Sequence, residues 1–500
     1  MRQTAIFTHR LLQALAIVVI VVASATTVRA ASSTQILGYD DARHLLARTG
    51  FGPSDAEVRA YATLSREAAV AKLLQETRAA AVTPPPESVV DSSPITYPSA
   101  ETSTAEEKKA FAQQQTRDGL ALRAWWMREM LVTPSPLTER MTLFWHNHFV
   151  SSQAKVRLAR LMYRQNVTLR AHATGDFGGL LHAIAKDPAM LVYLDGVRSR
   201  KGAPNENFAR ELMELFTLGE GRYGEQDVKE AARAFTGWSV ERQNGEFLFR
   251  PRLHDYGMKT VFGKSGAFDG DDVLDLLLAR PETPHYVTAK LWREFVSPDP
   301  DPAEVRRIAA RFAASRYDIK VALSDLLLCD AFYTSENRGV LVKSPTELVV
   351  GTMRSFGLDP EPTVALAVAT AVMGQNLMAP PNVKGWPGGD AWINTNTLLA
   401  RKQFVDRVTR VDGPRRARMT MTATRDAAVA NPAMERGLPA LNFDSARFLA
   451  QFPGATRKER GQWAQRLLLQ VAPQHGDDPP PDDADAIVRA LMFDPAYQLK

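Results

Sequence analysis

The chain has 500 residues, 45% hydrophobic and 23% charged, which suits a large apolar core and excludes a disordered polyelectrolyte. Its formal charge is +5, from 61 basic and 56 acidic residues. Arg2, Arg10 and Arg29 fall in the first 30 residues, leaving 58 basic against 56 acidic beyond them; with no dense Lys/Arg stripe interleaved with aromatics, a nucleic-acid partner is not expected.

Residues 1–30 read as a signal peptide. Arg2, His9 and Arg10 form a positive head, Leu11 to Ala25 an apolar run too short for a comfortable membrane span, and Val28-Arg29-Ala30 a small-x-small exit. This predicts cleavage after Ala30 and a periplasmic or secreted protein. An uncleaved N-terminal anchor is the alternative.

The rest reads as mainly α, a multi-helical globular fold with one small β-hairpin insertion. Residues 31–80 form an N-terminal helical segment, with a capping box at Ser54-Asp55-Ala56-Glu57. A Pro/Ser/Thr-rich linker or loop covers 81–106. A helical core spans 107–411. Inside it, Ser135 is expected to cap a helix opening on Pro136, and Asn205 one running from Glu206 to about Leu218, stopped by Gly219. Asn244-Gly245 predicts a hairpin near 239–263. Residues 412–442 are weakly structured, and 443–500 form a C-terminal helical segment broken by an acidic, proline-rich loop at 476–483. Length alone allows two or three domains. Cys329, the only cysteine, sits in an apolar run and reads as a buried, inert thiol; with no CxxCH, covalent c-type haem is excluded.

Four stretches combine polar and aromatic residues with apolar surroundings. In Phe144-Trp145-His146-Asn147-His148-Phe149, residues two apart on a helix point nearly opposite ways, so His146 and His148 cannot share one ion. His148 falls on the apolar face and reads as a hydrogen-bonded core histidine. His146, on a stripe with Glu139 and Thr142, is the candidate general base or metal ligand.

In Asn205 to Phe216, Asn207, Glu211 and Glu214 line one stripe, and Glu206, Arg210 and Glu214 another. A salt-bridged solvated face is the plain reading. The sharper one is a carboxylate cluster facing a cleft, with Arg210 as electrostatic partner and Glu211 and Glu214 as an acid–base pair or ligands of a divalent cation. His254-Asp255 is a weak pair, better read as part of a turn. Pro380 to Asn396 is a Pro/Gly loop in which Lys384, Trp386 and Asn394, with Asn147, Asn205 and Asn207, are candidate substrate contacts, a glycan among the candidate ligands; Trp386 and Trp392 as core plugs is the equal alternative. Gly219-Glu220-Gly221-Arg222-Tyr223-Gly224 matches GxGxxG but follows a helix, so no dinucleotide site is expected.

HLLARTGFGPS at 44–54, FWHNHFVSS at 144–152, DPAMLVYLDG at 187–196, APNENFARELMELFTLGEG at 203–221, ARAFTGW at 232–238 and PNVKGWPGG at 381–389 together resemble the domain-of-unknown-function 1800 family. The resemblance implies an exported bacterial protein. It also implies a candidate partner, since genes of this family often lie beside those of an exported, sulfatase-like family. It implies no settled activity. Two readings therefore stand: a hydrolase with a His/Glu cleft, or a non-catalytic binding or assembly module acting with another exported protein or a glycan.

Overall fold

A computed structural model describes residues 35–91, 93–99, 101–410, 443–474 and 483–500. The expected leader at 1–30, the stretch 412–442 and most of the acidic loop at 476–483 lie outside the described residues. Helices dominate, and among the described residues none is long and apolar enough to cross a membrane.

The N-terminal helices α1 (Gly38–Thr49), α2 (Asp55–Ala62) and α3 (Arg66–Gln75) start where their caps place them. The Ser54–Glu57 box closes both ways, the Ser54 amide donating to Glu57 at 2.7 Å. The 28-residue helix α4 (Ala105–Val132) carries Trp125 and Trp126 inward. It packs against α5 (Pro136–His148), of which eleven side chains are buried. Ser135 differs from expectation. It makes no cap bond to the backbone; its hydroxyl bonds Thr138 Oγ1 at 2.8 Å.

The short helix α6 (Gln153–Val156), α7 (Ala159–Ala171) and α8 (Phe177–Ala185) continue around the core, followed by α9 (Pro188–Tyr193) and α10 (Glu206–Glu211), the latter capped by Asn205 as expected. Helix α11 (Glu225–Ala234) leads into two antiparallel hairpins. The first pairs Trp238–Val240 with Phe247–Phe249 around the predicted Asn244-Gly245 turn. The second, unforeseen, pairs Lys259–Val261 with Lys264–Gly266; Phe262 and Gly263 both take positive φ, the geometry of a tight hairpin turn.

Beyond it, α12 (Glu282–Phe295) and α13 (Pro345–Ser355) carry long-range contacts. Helix α14 (Thr395–Thr409) packs on the C-terminal α15 (Ala484–Phe493). One contiguous cluster of buried apolar side chains runs from Leu37 to Tyr497, so segments 31–80, 107–411 and 443–500 share a core. Arg48 ties them further, donating to the carbonyls of Phe295 and Val296 at 2.9 and 2.8 Å. Cys329 is buried, which pushes its thiol up to about 11 and keeps it unreactive.

Candidate functional site

Helix α5 turns its polar groups into the core and satisfies most of them there. Glu139 receives a two-point bond from Arg170, at 2.6 and 2.9 Å, and a third from Trp126 Nε1 at 2.8 Å. His146 is enclosed by the rings of Trp126 and Trp386, at centroid distances of 5.5 and 5.7 Å. Burial alone pushes its pKa down to about 4, so the ring is neutral, and its Nε2 has no hydrogen-bond partner among the described residues. Asn147 clamps the 381–389 loop: its Oδ1 accepts from the Trp386 amide at 2.7 Å and its Nδ2 donates to the Trp386 carbonyl at 3.3 Å. A Cβ on residue 385 would come within 2.2 Å of Asn147 Oδ1, which is why a glycine with φ +81° sits there.

The expected helix 206–218 changes character midway. It is α-helical over Glu206–Glu211 and then a π-helix over Leu212–Thr217, so the amide of Leu218 reaches back five residues to Met213 O at 2.9 Å. Such single π turns occur often at functional sites. Two carbonyls here are taken by outside donors: His148 Nε2 bonds Phe216 O at 3.0 Å, and Tyr286 Oη donates to Leu215 O at 3.1 Å. His148 is thus a buried, hydrogen-bonded core residue. Gly219 ends the turn with φ +89°, against the Tyr286 ring.

Around this turn lies a half-open polar cluster. Glu214 accepts a hydrogen bond from Tyr223 Oη at 2.6 Å. Glu211 is half-buried, and its pKa is raised, first by burial and then by the charge of Glu214; Arg210 and Lys384 pull the other way. The charge of Lys384, on the clamped loop, thus reaches Glu211. Burial and then Glu211 raise the pKa of Tyr193. On α12, Lys290 stands 5.3 Å from the Tyr286 ring centre, and burial, with Arg293 second, lowers its pKa to about 8.

The structure thus brings Glu211, Glu214 and Lys384 together. His146 does not join them; it meets the same loop through Trp386. Arg210 acts on Glu211 but bonds outward, to Glu225 at 2.7 and 2.8 Å and to Glu206 at 3.2 Å. Asn205, Asn207 and Asn394 are engaged with backbone: Asn205 Oδ1 accepts from the Asn207 amide at 2.9 Å, Asn207 Nδ2 donates to Leu194 O at 3.3 Å, and Asn394 Oδ1 accepts from the Thr397 amide at 3.0 Å. Trp386 and Trp392 are buried, at 4% and 7% exposure, and plug the core. His254 bonds the Thr236 carbonyl at 2.8 Å while Asp255 pairs with Arg233, so these neighbours form no dyad. Among the described residues, no group of three or more His, Cys, Asp or Glu is arranged to hold a metal ion.

Tyr193, Tyr223, Tyr286 and Lys290 escaped sequence reasoning. Two of them lay inside stretches singled out for other reasons: Tyr193 in the 187–196 motif and Tyr223 in the GxGxxG match.

The family model described as "Protein of unknown function (DUF1800)" matches residues 44–499. The chain belongs to the DUF1800 family. No curated protein and no solved structure matches it. The match takes in both the clamped loop and the π turn of this DUF1800 protein, and the family brings no assigned activity to either.

Proposed function

We propose that this DUF1800 protein is an exported hydrolase whose proton donor is Glu211. The observation that carries this reading is a half-buried carboxyl held above the ordinary glutamate range beside a second carboxyl, within electrostatic reach of Lys384. A raised carboxyl pKa is what general-acid catalysis near neutral pH needs. In the step, a water oxygen bonds to the electrophilic centre. The bond to the leaving atom breaks and takes its electron pair. The Glu211 proton goes to the leaving atom, and the proton released by the attacking water restores Glu211. Glu214, fixed by Tyr223, sustains the raised pKa, and Lys384 steadies negative charge on the substrate. Asn147, and His146 through Trp386, are positioning residues for the loop. Export rests on the leader-like first 30 residues.

The purified protein should be assayed on chromogenic glycosides, esters and phosphomonoesters from mildly acid to neutral pH. Glu211→Gln should lower turnover by about 10²–10⁴-fold with the thermal midpoint unchanged. Turnover that survives the substitution overturns the reading. So does no turnover on any class; capture of a glycan or of another exported protein would then favour the binding-module alternative.

A further inference from the structure

A large hollow lies away from Glu211. It is an open groove of about 880 Å³ between α4, α6 and the loop around Asn376, within the roughly 300–1,000 Å³ common for small-ligand sites. Arg123, Arg157 and Arg242 line it, and none of its described lining residues is a carboxylate. Arg123 is held by neutral acceptors only, donating to Leu377 O at 2.8 Å and Gln153 Oε1 at 3.0 Å, so its charge is aimed but not cancelled. Arg242 lies over the Tyr97 ring, 5.5 Å from its centre. Neither Arg157 nor Arg242 makes an ion pair among the described residues.

The backbone beneath Arg157 gives an independent sign. Arg157 has φ +66° and ψ −36°, and the Leu158 amide bonds Val156 O at 2.9 Å. This is a γ-turn of the rare, strained kind, which a glycine would fill more comfortably. Backbone strain of this kind clusters at ligand-binding and active sites. Met378, whose carbonyl holds the Gln153 amide at 2.8 Å behind the groove, is a second non-glycine residue at positive φ.

We propose that this groove binds a short acidic oligosaccharide, its carboxylate or sulfate groups held by Arg123, Arg157 and Arg242. Arginine forks suit carboxylate and sulfate geometry. The amides of Gln115 and Asn376 on the walls suit sugar hydroxyls. Arg242 already lies over one face of the Tyr97 ring, where it competes with any stacked nucleobase. The site is distinct from the Glu211 cluster. On the same short helix α6, Lys155 turns the other way, its ammonium reaching Asp195 at 2.7 Å and the Tyr193 ring at 5.7 Å. Binding here does not rest on the hydrolase reading.

The test is calorimetric titration of the full chain with a sulfated tetrasaccharide, an oligogalacturonate, a neutral oligosaccharide of equal length and a short oligothymidylate. At least one acidic sugar should bind, more weakly as salt rises. Which of the two binds tells sulfate from carboxylate. Arg157→Gln should weaken binding about tenfold or more. Arg157→Gly should weaken it as much while raising the thermal midpoint, because the turn relaxes. Neutral sugar binding as well as the acidic ones, oligothymidylate binding tighter than both, no binding by either acidic sugar, or binding untouched by both Arg157 variants would each overturn the proposal.

Discussion

Helix α5 and the 206–217 segment both set polar side chains among apolar ones, and the fold treats them in opposite ways. In α5, Glu139 meets Arg170 and Trp126, His146 is boxed between two indoles, and Asn147 is spent on loop backbone. In 206–217, Glu211 and Glu214 stay half-open and lean on each other, with a tyrosine hydroxyl and a lysine nearby. Polar density inside an apolar helix is therefore no guide to chemistry by itself. What separates the two is whether the partners come from the core or are left for a ligand.

The comparison can be broken most forcefully at Arg170. Both members of the Glu139–Arg170 pair are about 1% exposed, and removing one strands a buried charge. Arg170→Ala should lower stability by about 3–5 kcal/mol, read by denaturant unfolding. A change near zero would mean that α5 is not held by its polar core.

His146 gives a smaller, pH-dependent effect. It stays neutral in the folded chain down to about pH 4, against an ordinary value of 6.5. The unfolded chain binds this proton first, so the contribution of His146 is complete above pH 6.5 and is lost as pH falls towards 4. His146→Phe should flatten that part of the acid-unfolding curve; an unchanged slope would assign the acid lability elsewhere.

Arg210→Ala should matter least to the fold, because its pair with Glu225 is solvent-exposed and screened. It sharpens the comparison by another route. Removing a cation that favours ionised Glu211 should raise that carboxyl's pKa further. A large fall in thermal midpoint would instead make 206–217 a structural brace.

Much of the fold was legible in the amino-acid order because its signals are local. The Ser54 box, the Asn205 cap and the Asn244-Gly245 turn each need only a few neighbouring residues. The Ser135 cap failed because a nearby threonine hydroxyl took its oxygen. The π turn was hidden because apolar spacing of three and four does not reveal one residue added to a turn. The site was legible only in part. Glu211, Glu214 and Lys384 stood out by density, but the bond that ties Asn147 to Trp386 crosses 239 positions. Tyr286 and Lys290 arrive from a separate helix that nothing local connects to the glutamates. Arg210 pairs with Glu206 in its own helix, yet its shortest bond goes to Glu225, fifteen positions on.

The most direct measurement is a carboxyl carbon NMR titration of the glutamate-labelled protein, with Glu211 assigned from Glu211→Gln. Glu211 should titrate above the ordinary glutamate range and fall back towards it in Glu214→Gln. Its contribution to stability should be full in acid and fade as pH rises through the raised value. A Glu211 that titrates like any surface glutamate, unmoved by Glu214→Gln, would contradict a shared acid–base site.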